Sequence, residues 1–153
     1  MKAVLTAVLL CVAASCLAQQ RLVEPGAPDS ARPTATLVLR HLAEGNIEAA
    51  AALSNAPQGR LQVLRDYRKA LGEEDFKRVF AQYLNHEVVA EVALGRHRLL
   101  VWHLVGTEER LAGQFYVEDG GRFLMDDVPS EARSELRRIL GEYRKKMGSD
   151  PTK

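Results

Sequence analysis

Residues 87–128, EVVAEVALGRHRLLVWHLVGTEERLAGQFYVEDGGRFLMDDV, decide the fold. Four runs within them, 87–94, 97–105, 110–118 and 122–128, are rich in β-branched, aromatic and other apolar residues and are separated by turn signals. Gly95-Arg96 fits a two-residue turn with Gly first, Gly106-Thr107-Glu108-Glu109 is a short polar connector, and Asp119-Gly120 is a strong hairpin signal. Consecutive hairpins predict a four-stranded antiparallel meander.

Upstream of this stretch the apolar period is helical. Residues 34–44 bring Ala35, Leu37, Val38 and Leu42 toward one side; Gly45 stops this helix, and Asn46 can cap the short Ala-rich helix over 47–53. Leu61, Leu64, Tyr67 and Leu71 mark a third helix, and Phe76, Val79, Phe80, Tyr83 and Leu84 a fourth, with Gly72 between them. Downstream, Pro129-Ser130 opens a last helix with Ala132, Leu136, Ile139, Leu140 and Tyr143 on one stripe. Helices followed by a meander give an α+β fold: N-terminal helices packed on a curved four-stranded antiparallel sheet, plus a C-terminal helix. One domain spans residues 34–147. Residues 19–33, with Pro25, Gly26, Pro28 and Pro33 and no apolar period, predict a flexible linker, and 148–153 a polar tail.

The turns also predict which side chains share a face. A turn at 95–96 pairs Leu94 with His97, and hence Val88 with His103. The polar connector pairs Val105 with Arg110, which sets Ala112 beside His103. The Asp-Gly turn pairs Glu118 with Gly121, which sets Ala112 beside Asp127. His103, Gln114, Tyr116 and Asp127 then lie on one face, and Trp102 on the other, opposite Gly113. Both faces are largely apolar, so a meander with one solvated face is excluded. Either the C-terminal helix or a second copy of the chain, docked through the Trp102 face, must cover the second one.

The N-terminus reads as an export signal. Lys2 is followed by the uncharged run AVLTAVLLCVAA, about 12 residues and well short of the roughly 20 that span a bilayer. Cleavage after Ala18 leaves small residues, Cys16 and Ala18, at the two recognised positions and places the domain in the periplasm or medium. Ala13-Ala14-Ser15-Cys16 also resembles a lipobox, in which Cys16 would be acylated and hold the protein to the cell envelope. Membrane contact is expected only through the signal or this anchor. Lys2 is the one charged residue before Gln19, so the remainder carries 20 basic and 20 acidic residues, a balance that argues against a nucleic-acid partner. Both cysteines, Cys11 and Cys16, lie in the signal, so the domain has neither a disulfide nor a thiol nucleophile.

The segment Leu42-Ala43-Glu44-Gly45-Asn46-Ile47-Glu48-Ala49-Ala50 and the closing Asp119-Gly120-Gly121-Arg122-Phe123-Leu124-Met125-Asp126-Asp127-Val128 resemble the opening helices and last hairpin of nuclear transport factor two-like (cystatin-like α+β) domains. The resemblance covers residues 34–128 and departs from the group in the long third and fourth helices and the added C-terminal helix. It implies a pocket between the helices and the concave sheet face. The group includes binding domains, isomerases and dehydratases, so fold alone assigns no activity.

The expected chemistry is sparse. A binding or interaction domain without catalysis, taking an unidentified small molecule or protein, is the leading expectation, with His103, Gln114 and Tyr116 as ligand contacts. The alternative is an isomerase- or hydratase-type enzyme using His103 with Asp127 or Tyr116 as an acid–base pair; against it, Asp127 can instead cap the last helix. His97 adjoins a turn, His41 reads as a solvated helix position, and His86 follows the fourth helix. Four scattered histidines make no metal signature, and no phosphate loop or nucleophile elbow implies a cofactor or covalent chemistry.

Overall fold

The computed structural model describes residues 19–104 and 110–148. The export signal and Cys16, the connector at 105–109 and the last five residues lie outside them. In chain order the elements are β1 (Gln20–Leu22), α1 (Arg32–Ala43), α2 (Ile47–Ala51), α3 (Pro57–Leu71), α4 (Glu73–Tyr83), β2 (Glu87–Leu94), β3 (His97–Leu104), β4 (Arg110–Asp119), β5 (Arg122–Met125) and α5 (Glu131–Gly148). The strands form one antiparallel sheet in the order β1-β2-β3-β4-β5.

The helical layer follows its local signals. Gly45, at φ +79°, ends α1: its N–H and that of Asn46 donate to the carbonyls of Leu42 and His41. The Asn46 side chain accepts from the Ala49 N–H and caps α2. Pro57 starts α3, and Gly72, at φ +87°, breaks it from α4. The buried stripe of α1 is Ala35, Val38, Leu39 and Leu42; Leu37 points outward, 43% exposed.

Two departures from the sequence expectations concern strands. Residues 19–33 are not a free linker, because Gln20, Arg21 and Leu22 pair with Leu94, Ala93 and Val92 and add a fifth strand. Two buried charges hold the rest of that segment. The Glu91 carboxylate accepts from the Ser30 hydroxyl (2.6 Å) and the Ala31 N–H (2.7 Å), with the Arg32 Nε at 3.4 Å. Arg98 donates to the carbonyls of Asp29, Gly95 and His97 and lies over the Phe123 ring. The carboxylate thus serves the N–H of Ala31, the N-cap of α1, while the Ser30 hydroxyl oxygen accepts from the first helical N–H, that of Arg32 (3.1 Å).

The second departure is register. The 95–96 turn forms as expected, with Leu94 opposite His97, but Val89 is extruded as a bulge, so Val88 pairs with Trp102 and Glu87 with His103. Leu104, not Val105, pairs with Arg110, which sets Trp102 opposite Ala112 and Val101 opposite Gly113. A shift of one residue turns every side chain of β4 to the other side relative to β3. The last hairpin turns through Gly120-Gly121, both at positive φ, and pairs Asp119 with Arg122. Two successive left-handed positions favour Gly-Gly over Asp-Gly. This change is by two residues and leaves the faces as they were.

The sheet is therefore covered on both sides by the chain itself. Leu100, Trp102, Tyr116 and Met125 pack under α1–α4. Val92, Leu99 and Val101 pack against Leu136, Ile139 and Leu140 of α5. Trp102, 5% exposed, lies inside the molecule and offers no surface to a second copy. Nor does it sit over a gap at Gly113: that gap opens on the other face and is filled by Leu140.

A Cβ at Gly113 would fall on Leu140 Cδ2 and lie 3.2 Å from Leu99 Cδ1, so α5 can sit this close to the sheet only over a glycine. Gly113→Ala is expected to lower stability by about 1–3 kcal/mol in urea unfolding. An unchanged midpoint would show that α5 is not seated on β4 in this way.

Candidate functional site

A cavity of about 360 Å³ lies between the helical layer and the sheet, where the short β5 ends and leaves the outer edge of β4 open. Val38, Leu39 and Leu42 of α1, Leu64 of α3, Phe80 of α4 and Met125 give it apolar walls. Its polar end is made by Arg60, Gln114, Tyr116, Asp126, Asp127 and Arg133. Charged groups from α3 and α5 thus meet at the end of a strand, and polar and apolar surface line the cavity in about equal measure.

Residues 53–55, between α2 and α3, fix the acidic end. The Met125 N–H donates to the Leu53 carbonyl (2.7 Å), and the Asn55 N–H to the Met125 carbonyl (3.0 Å), so this segment continues the sheet beside β5. It delivers two side chains. Asn55 donates to Asp126 Oδ1 (3.0 Å) and accepts from the Asp127 N–H (2.8 Å). The Ser54 hydroxyl donates to Asp127 Oδ2 (2.6 Å), and the same oxygen accepts from Arg60 Nε (2.9 Å). Arg60 Nη2 completes a bidentate pair on Oδ1. Asp126 Oδ2 meets His97 Nδ1 at 2.9 Å.

Burial alone would raise the Asp127 carboxyl. The hydrogen bonds from Arg60 and Ser54, with the charges of Arg60 and Arg133, outweigh it and hold the group below its usual range. Tyr116 moves the other way: burial pushes its phenol well above the usual range, and the Asp127 charge adds to this against the opposing effect of Arg60. The neutral phenol donates to Gln114 Oε1 (3.1 Å), which also accepts from Trp102 Nε1–H (3.0 Å). The half-buried Gln114 thus satisfies the donors of two buried aromatic side chains under the helices.

Of the residues singled out from sequence, Gln114, Tyr116 and Asp127 meet in this cavity. His103 does not. The one-residue register shift puts it opposite Leu111 on the α5 side of the sheet, away from all three. Its Nε2 is buried without a hydrogen-bond partner among the described residues. The expected acid–base pair of His103 with Asp127 or Tyr116 is therefore not assembled, nor is His103 a contact of this cavity. Asp127 does not cap α5; Ser130 accepts from the Arg133 N–H instead. His97 has the carboxylate of Asp126, and the His86 ring stands edge-on to Tyr83 at 5.2 Å. His41 is half-buried in α1, not solvated. No group of three potential metal ligands occurs among the described residues, and no helix there is long and apolar enough to cross a membrane.

Sequence reasoning missed Ser54, Asn55, Arg60 and Arg133. Arg60 meets Asp127 across 67 positions of chain, and nothing local in PQGRLQ marks it as other than a solvated helix position.

Asp127 provides a pH test with a fixed sign. Its folded pKa lies below the unfolded value of about 3.9, so the Arg60 pair stabilises fully above that value and is lost as pH falls through the folded pKa. Asp127→Asn is expected to unfold about 1–3 kcal/mol more easily than the parent at pH 7, with the gap closing in acid. A gap that thermal unfolding finds equal at pH 7 and in acid would contradict this role.

No family model, characterised protein or solved structure gives a significant match to this chain.

Proposed function

We propose that the chain is an exported, non-catalytic domain that binds a small molecule between its helical layer and its sheet. The observation that carries this is the cavity of about 360 Å³, apolar along α1, α3 and α4 and polar where β5 ends. That volume is within the size range of small-molecule sites, and its lining combines an apolar wall with polar groups that converge at one end. The polar groups argue for binding over acid–base catalysis. Asp127 is held ionised with both oxygens engaged by Arg60 and Ser54, and burial raises the Tyr116 phenol and keeps it protonated, so neither is poised to exchange a proton near pH 7.

A likeness to nuclear transport factor two-like domains with a concave sheet is part of the same proposal. Helices preceding a meander, a cavity between the two layers and the bend introduced by the Val89 bulge support it. β1 and α5 are additions to that plan. Export rests on the sequence of residues 1–18, with Cys16 acylation as the alternative route to the envelope.

A neutral probe tests binding apart from charge. Titration with 1-octanol is expected to give saturable NMR shifts at Leu39, Leu64 and Met125 and a change in the fluorescence of Trp102, the chain's one tryptophan, with a dissociation constant on the order of millimolar or tighter. Leu64→Phe, which fills the cavity, should abolish both. Shifts confined to the exposed Val63 and Tyr67 side of α3, or none that saturate, would overturn the reading.

A further inference from the structure

The cavity's charged side chains are not equally committed. Asp127 is engaged by Arg60 and Ser54, and Asp126 by Asn55 and His97. Arg133, from the first turns of α5, differs. Its guanidinium lies over the Phe115 ring, 5.7 Å from the centroid, and makes no hydrogen bond or ion pair with a described residue. Its Nε is buried and unpartnered. Burying a guanidinium nitrogen with no acceptor is costly, and the ring face supports the cation without supplying one.

What faces Arg133 is the open edge of β4. The Phe115 carbonyl accepts from the Asp126 N–H, so the backbone groups of Phe115, and by alternation those of Gly113 and Leu111, point outward along this edge. Arg144 Nε takes the Leu111 carbonyl (3.1 Å). Gly113 lies beyond the last β5 pair, lines the cavity and has no side chain to shield its N–H. A cation with vacant planar donors and an outward N–H thus border the polar end of the cavity. That combination suits an acceptor with two oxygens in a plane.

Resting on the binding reading above, we infer that the ligand is a carboxylate-headed amphiphile. Its head lies on the Arg133 guanidinium at the open edge of β4, and its tail runs along Leu39, Leu42, Leu64 and Met125. The cavity, about 360 Å³ and open at one end, has room for the chain of a medium-length acid such as octanoate. Both acidic side chains at that end already have donors, so the incoming charge meets Arg133 and not a bare carboxylate.

Calorimetric titration of the whole domain with octanoate and with 1-octanol, which share a tail and differ in the head, separates the two claims. The parent is expected to bind octanoate about tenfold tighter or more than octanol at pH 7.5. Arg133→Met keeps an apolar stem over Phe115; it should lose that preference while binding octanol within about twofold of the parent. Arg133→Lys, which keeps the charge and loses the planar fork, should fall between them. Equal affinity of the parent for both probes, or a preference that survives Arg133→Met with octanol binding intact, overturns the carboxylate assignment and leaves the cavity as a neutral apolar site. Failure of both probes to bind the parent removes the binding reading with it.

Discussion

The pairing of Leu104 with Arg110 governs what the rest of the molecule can be. Side chains alternate along a strand, so one residue of register decides whether β4 presents its even or odd positions to the helices. In the register found, Trp102, Gln114 and Tyr116 share the helical face. There the Gln114 carbonyl oxygen accepts from the other two, so the Trp102 and Tyr116 donors are buried at little cost. The same register turns Gly113 toward α5, where Leu140 occupies the space a side chain would need. Slipping β4 by one residue would move Gln114 and Tyr116 under α5, leave Trp102 without its acceptor and put Ala112 or Gln114 where Leu140 now packs. Packing on both faces and polar satisfaction on one thus select the same alignment.

A second constraint holds the segment before α1. Glu91, 1% exposed, and Arg98, 4% exposed, would each be strongly destabilising if buried without partners. Their partners come from Asp29, Ser30, Ala31 and Arg32, so the segment that looks loosest in composition is bound to the middle of the sheet. These contacts also fix where α1 begins, and α1 supplies three of the cavity's apolar walls. The site therefore depends on a carboxylate and a guanidinium that do not touch it.

Much of the architecture was legible because it is written in local signals. The Gly45 stop, the Asn46 cap, the Gly72 break and the Gly95-Arg96 turn each act within a few residues, and each appears in the structure where it was expected. Gln114, Tyr116 and Asp127 came together because the error in the last hairpin was two residues and preserved parity. His103 was lost because the error in the preceding connector was one residue and did not. Strand β1 was hidden because three residues, QRL, carry no alternation to read, and their pairing is decided by an edge some seventy positions away. Arg60 and Arg133 were hidden for a related reason: a helix surface charge looks the same in sequence whether it faces water or a distant strand end.

The β3–β4 register is also the most direct point of attack. Phe115 bonds outward, so Leu99–Phe115, Val101–Gly113 and His103–Leu111 are the close, non-hydrogen-bonded pairs, whose Cα atoms lie about 4.5 Å apart. A nuclear Overhauser spectrum of the domain should show strong Hα–Hα contacts between Val101 and Gly113 and between His103 and Leu111. Contacts between Val101 and Gln114 and between His103 and Ala112 would return His103 to the face of Gln114 and Tyr116 and contradict the site described.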